Sequence, residues 1–94
     1  MPYYAYILEC SDGSLYVGHT DNLDQRLADH NSGKGAAWIA RRRPVNLLYS
    51  ESFATESEAV RRERQWKRWT AEKKRALVLG DMKRLKALAK RRVF

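Results

Sequence analysis

The chain has 94 residues, 44% hydrophobic and 11% aromatic, with a formal net charge of +8. That size and composition suit one folded domain around a single modest core, and disorder is not the default reading. One cysteine makes no internal disulfide, two histidines and one cysteine cannot close a zinc site, and no run approaches the roughly 20 apolar residues of a membrane span. No basic region followed by an apolar run opens the chain, so a soluble cytoplasmic protein with no membrane partner is the expectation.

Residues 3–9 are rich in aromatic and branched side chains and read as a strand, as do residues 15–19. Ser11-Asp12-Gly13 lies between them as a hairpin turn, and its length decides which side chains share a face. A two-residue Asp12-Gly13 loop pairs Tyr6 with His19 and turns Tyr16 to the opposite face. A three-residue loop with Gly13 left-handed pairs Leu8 with Tyr16, and then Tyr4, Tyr6, Leu8, Tyr16 and Gly18 point one way. The sequence permits both registers; a joint role for Tyr6 and Tyr16 requires the second.

Asp21 or Asn22 caps a helix running to about residue 31, with Gly33 as its stop. Ser32-Gly33-Lys34-Gly35 is a mobile connection, Trp38 and Ile39 mark a short helical turn, and Pro44 precedes a third strand ending near Phe53. Thr55 and Glu58 form a capping box for a helix to about residue 69. Thr70 caps a shorter helix closed by Gly80, and Asp81 starts a last basic helix. The fold class is therefore α+β: a small three-stranded antiparallel sheet flanked by helices, in the order β-β-α-β-α-α with an extra C-terminal helix. Residues 1–80 form the domain, and residues 81–94 a basic helical extension of it.

Charge is strongly divided. Residues 1–58 carry five Lys/Arg against eight Asp/Glu, a net −3, and residues 59–94 carry fourteen against three, a net +11. Such asymmetry is the footprint of a polyanion partner, although it does not separate DNA from RNA. Arg61, Arg62 and Lys67, with His19 and Lys34, are the candidate contacts. Glu63 stands apart: Ala59, Val60 and Trp66 place it on the apolar side of its helix, where a carboxylate needs a cation. An internal ion pair with Arg26 and a ligand for one Mg²⁺ or Mn²⁺ both satisfy that need. Arg26 and His30, four apart, share a helix face; a guanidinium suits a phosphate, and an imidazole can carry a proton. A surface arginine beside a capping histidine shows the same spacing. Tyr6 and Tyr16 fit half-buried strand aromatics as well as a chemical site.

Taken in order, these groups resemble the GIY-YIG nuclease superfamily in its small stand-alone bacterial form. Tyr4-Ala5-Tyr6 and Tyr16-Val17-Gly18 stand for the two triplets, Arg26 and His30 follow on the helix, Ser32-Gly33-Lys34-Gly35-Ala36 resembles the connection of the small members, and Glu63 with Trp66-Lys67 matches the metal-binding glutamate. The likeness covers about residues 2–80. Two departures are evident: Tyr4 and Ala5 replace glycine and isoleucine, and His19 stands where many members carry lysine.

The resemblance implies a metal-dependent endonuclease hydrolysing DNA phosphodiester bonds with structure selectivity. Glu63 would hold one divalent ion, Mg²⁺ or Mn²⁺, and Arg26 would stabilise the phosphate. Tyr6 or Tyr16 would take a proton from water, with His30 or His19 relaying it. Larger relatives carry an appended domain for target choice, so a separate protein partner is expected to supply specificity here. Two other readings compete: a nucleic-acid-binding module with weak or lost catalysis, and a docking domain anchored by Trp38, Trp66 and Trp69.

Overall fold

A computed structural model describes residues 2–80. Strands β1 (Tyr3–Glu9), β2 (Leu15–Thr20) and β3 (Asn46–Phe53) form an antiparallel sheet in the order β2-β1-β3. Helices α1 (Leu23–Ser32) and α2 (Ala37–Ala40) lie between β2 and β3 in the chain, and α3 (Glu56–Lys67) and α4 (Ala71–Leu79) follow β3. The α+β order read from the sequence is the order observed. The last basic helix expected from Asp81 onward lies outside the described residues.

The β1–β2 turn adopts the three-residue form. Gly13 has a left-handed φ of 84°, the Cys10 N–H donates to the Ser14 carbonyl, and Leu8 pairs with Tyr16 while Tyr6 pairs with Gly18. The register that brings the two tyrosines to one face is thus the one adopted, because glycine adopts that left-handed backbone without a Cβ penalty. From α4, Arg75 fastens the hairpin, bonding Glu9 at 3.0 Å and the Gly13 carbonyl at 2.6 Å.

As the central strand, β1 is covered on both faces, and Ala5, Tyr6, Ile7 and Leu8 are all buried. Tyr6 and Leu8 join Cys10, Ile39 and Val45, with Leu23 and Leu27 of α1 closing over them. Ala5 and Ile7 point the other way and pack with Val17 and with Trp66 of α3, backed by Trp69 from the α3–α4 connection and by Leu77 and Val78 of α4. A register shift between Ile7 and Leu8 keeps β3 paired across a bulge.

Helix ends follow their cap chemistry. Asn22 accepts from the Gln25 N–H at the start of α1, and Gly33 closes α1 with a φ of 88°. Thr55 and Glu58 form the expected capping box of α3, and Thr70 caps α4. At the end of α1 the Asn31 amide brackets Val45, accepting from its N–H at 2.8 Å and donating to its carbonyl at 3.2 Å. That clamp sets α1 against the start of β3, and with it the height of His30 above the sheet. No helix among the described residues is long and apolar enough to cross a membrane.

Candidate active site

Alternation along β1 and β2 aims Tyr6, Tyr16 and Gly18 at α1. Gly18 is the position that makes the arrangement work. The Tyr6 hydroxyl and ring lie where a Cβ at residue 18 would stand, so any larger residue there would push the phenol aside. A second glycine does the same for the histidine: the His30 Nδ1 sits where a Cβ on Gly35 would be. Between these two gaps the Tyr6 hydroxyl and His30 Nε2 share a buried hydrogen bond of 3.1 Å. His30 is only 2% exposed, and Tyr16 meets its ring edge-on at 5.3 Å between centroids.

The electrostatics of this pair follow from burial. Desolvation pushes the Tyr6 hydroxyl well above the ordinary phenol value, the charges of Tyr16 and Glu63 push it further, and Arg26 opposes them. Burial likewise raises Tyr16, with Glu63 adding and Arg26 opposing. His30 is lowered from 6.5, first by burial and then by Arg26, with Asp29 pulling weakly the other way. At neutral pH the dyad is therefore two neutral groups sharing a proton site. Those shifts also place four side chains within one electrostatic neighbourhood: Tyr6, Tyr16, Arg26 and Glu63.

Arg26 is exposed and lines a narrow cleft with Tyr6, His30, Leu23 and Leu27. Among the described residues no carboxylate pairs with it. The ion pair between Arg26 and Glu63 that the sequence left open is not formed. Glu63 instead meets His19 Nδ1 at 3.3 Å and the Lys67 ammonium at 3.6 Å, with its side chain 13% exposed. His19 alternates to the opposite face from Tyr16 and Gly18, so Glu63 approaches the edge strand β2 from the α3 side. The site straddles that edge.

Among the described residues, no three His, Cys, Asp or Glu side chains converge as a metal cage. The donor set on offer is the single Glu63 carboxylate, held by two contacts longer than a strong charge-assisted bond. Such a set fits a Mg²⁺-like ion, which keeps most of its water and takes one or two carboxylates with phosphate oxygens. It does not fit a closed structural zinc site.

The remaining sequence candidates divide. Lys34 and Arg61 are exposed, and Lys67 is exposed beside Glu63. Arg62 is committed elsewhere: it forms a two-pronged bond to Glu51 at 2.9 and 3.1 Å and lies over the Trp66 and Trp69 rings. Those bonds tie α3 to β3. The tryptophans divide too, with Trp66 fully buried, Trp69 half-buried and Trp38 exposed, which removes the three-anchor docking surface. Gly35 was read only as part of a mobile connection, and Trp38 only as one of three docking anchors. The signal for Gly35 was its spacing of five from His30, and for Trp38 its lone place between Ala37 and Ile39.

A small domain that gathers phenols, imidazole, guanidinium and carboxylate at the edge of one hairpin has the form of a catalytic domain. The chain belongs to the GIY-YIG family, a nuclease family: its catalytic-domain profile matches residues 2–76. A UPF0213 protein of Bacillus pumilus is 54% identical over 72 residues, covering 77% of this chain and 74% of the relative. One from Staphylococcus haemolyticus is 46% identical over 76 residues, covering 81% and 93%. Two solution NMR structures share the fold. The UPF0213 protein of Bacillus halodurans superposes with a TM-score of 0.54 at 44% identity, covering 83% of each chain. A protein of E. faecalis superposes with a TM-score of 0.60 at 40% identity, covering 85% of each.

Proposed function

We propose that this chain is a divalent-metal-dependent endonuclease that hydrolyses DNA phosphodiester bonds, with a preference for substrate structure over sequence. The observation that carries the proposal is the buried Tyr6–His30 hydrogen bond lying within electrostatic reach of Arg26 and Glu63. A pure binding surface has no use for a desolvated phenol–imidazole pair.

In this reading Arg26 donates to the non-bridging oxygens of the scissile phosphate, where its fork offsets the charge that grows in the transition state. Tyr6 accepts a proton at its hydroxyl oxygen from the attacking water while passing its own to His30 Nε2. That transfer needs His30 neutral with its proton on Nδ1, the atom packed against Gly35. Tyr16 borders the same space and holds the water or a phosphate oxygen through its hydroxyl. Glu63 is the residue that would hold Mg²⁺ or Mn²⁺, which when bound supplies charge stabilisation to the phosphate and the leaving oxygen. Lys34, Arg61 and Lys67 are the proposed backbone contacts flanking the site. His19 acts on Glu63 rather than on a tyrosine, so it positions the carboxylate and does not relay the proton.

The test is cleavage of single-stranded, nicked, branched and intact duplex DNA with Mg²⁺ or Mn²⁺, with an EDTA control and two variants. Glu63→Gln is expected to lower cleavage by at least about 100-fold, and Tyr6→Phe by roughly 100-fold, each with DNA affinity retained. Full activity in Glu63→Gln would remove the metal-ligand assignment. Salt-sensitive binding with no cutting of any substrate would favour the nucleic-acid-binding module.

A further inference from the structure

Beside Tyr16, away from the Tyr6–His30 bond, opens a cleft of about 200 Å³ lined by Leu15, Tyr16, Val17, Trp38, Lys67 and Lys74. Its dominant feature is Trp38, a large aromatic side chain left 43% exposed on a helix whose neighbouring Ile39 is fully buried. The indole is nevertheless held firmly. It stacks on Tyr16 with 6.1 Å between centroids and 26° between planes, and the Arg42 guanidinium lies 3.9 Å from its centroid. Arg42 is in turn anchored, donating to the Trp38 carbonyl at 2.7 Å and meeting Asp12 at 3.3 Å.

The rest of the cleft is as informative. Leu15 and Val17 make one wall apolar, and the two lysines supply positive charge at its rim. Among the described residues no carboxylate pairs with Lys74, and burial holds its ammonium below the ordinary lysine value. An immobilised aromatic ring beside the partly buried Lys74 and the exposed Lys67 is suited to a flat π system attached to an anion. The volume decides how much of one: it falls short of the roughly 300–1,000 Å³ that whole small-molecule ligands occupy.

We propose that this cleft is a subsite for one unstacked nucleobase of the DNA strand, seated against Trp38 with its adjoining phosphate taken by Lys67 and Lys74. The proposal rests on the nuclease reading of the neighbouring site and adds to it a residue, Trp38, that selects strands able to present a free base. A single strand and a base swung out of a duplex offer the same chemistry. Because Tyr16 supports the indole and also borders the dyad, a seated base registers the next phosphate over Arg26.

The experiment measures affinity in EDTA buffer, where metal-dependent turnover stops. Wild-type protein, Trp38→Ala and Trp38→Phe are each titrated with a short oligothymidylate and with an abasic chain of equal charge. Wild type is expected to bind the oligothymidylate roughly tenfold more tightly than the abasic chain. Its tryptophan emission should be quenched, since Trp66 is buried and Trp69 half-buried. Trp38→Ala should lose the preference while still binding the abasic chain, and Trp38→Phe should keep part of it. Equal wild-type affinity for the two chains overturns the subsite but leaves the nuclease reading standing, as does a preference that survives in Trp38→Ala. Binding of neither chain overturns the subsite, and the metal-dependent cleavage panel then decides the nuclease reading separately. If Trp38→Ala fails to fold, the wild-type and Trp38→Phe comparisons decide alone. Duplexes with and without one unpaired thymidine separate the two sources: tighter binding of the unpaired form assigns an extruded base, and tight binding of the single strand alone assigns a single-stranded one.

Discussion

Under α3 and α4 the sheet buries Ala5, Ile7, Val17 and Trp66, while under α1 and α2 the same central strand buries a phenol bonded to an imidazole. Each face also carries one buried nitrogen without a protein hydrogen-bond partner among the described residues, Trp66 Nε1 on the first and His30 Nδ1 on the second. Their surroundings separate them. The indole is wrapped in apolar side chains, and the Arg62 guanidinium lies 4.9 Å from its centroid. The imidazole faces a glycine and a tyrosine hydroxyl and shares a cleft with Arg26, which has no carboxylate partner among the described residues. One face is wholly apolar around its indole, and the other buries a hydrogen-bonded polar pair. A 94-residue chain cannot afford two polar faces, because its stability rests on few large side chains.

Breaking the apolar face should have the largest effect. Trp66→Ala removes the largest fully buried side chain of the domain, and a loss of about 3–5 kcal/mol is expected. For a domain of this size that is a large fraction of the total, so denaturant melts should show a chain close to unfolding at room temperature. A midpoint near wild type would mean that the α3 face contributes less than its burial implies. On the opposite face the corresponding break is Gly18→Ala. The added methyl must displace the Tyr6 phenol or bend β2, at a cost of roughly 1–3 kcal/mol. The expected signature is asymmetric: a moderate fall in thermal midpoint beside a loss of cleavage as deep as that of Tyr6→Phe. A wild-type rate in Gly18→Ala would show that Tyr6 need not lie against the edge strand to act.

Much of this division was legible in the sequence, and the reason is local chemistry. Caps at Asn22, Thr55 and Thr70 are read within four residues of the helix they start, and the glycine in Ser11-Asp12-Gly13 made the three-residue turn available. Once that turn is chosen, strand alternation alone brings Tyr6 and Tyr16 together. Long-range partners were not legible. Glu63 and His19 are 44 positions apart, and nothing local told His19 from Arg26 as the group beside the carboxylate. Arg62 looked like its neighbour Arg61 until Glu51, eleven residues earlier on another element, proved to hold it. Gly18 and Gly35 were read as a triplet residue and a flexible joint. Their real function, giving up space to Tyr6 and His30, depends on side chains 12 and 5 positions away.

The smallest effect should also be the most specific to the polar face. His30 is neutral and buried in the folded protein, with its pKa held below the ordinary 6.5, so the unfolded chain takes up its proton at a higher pH than the folded one does. As pH falls through 6.5 the unfolded state binds more protons, and stability is lost over that window until the folded pKa is passed. Above it both states are neutral and His30 contributes no slope. His30→Gln retains a group able to bond Tyr6 but does not titrate, so the difference in stability between wild type and variant should shrink steadily from pH 7 toward pH 5. Paired denaturant melts across that range would measure it. A parallel pair of curves would mean that His30 takes up its proton at the same pH in the folded and the unfolded chain, so that burial does not hold the imidazole neutral. Curves that diverge toward low pH, with the wild type gaining, would mean an imidazole protonated in the folded state, and the proton path drawn for the polar face would then have to run through Tyr16 instead.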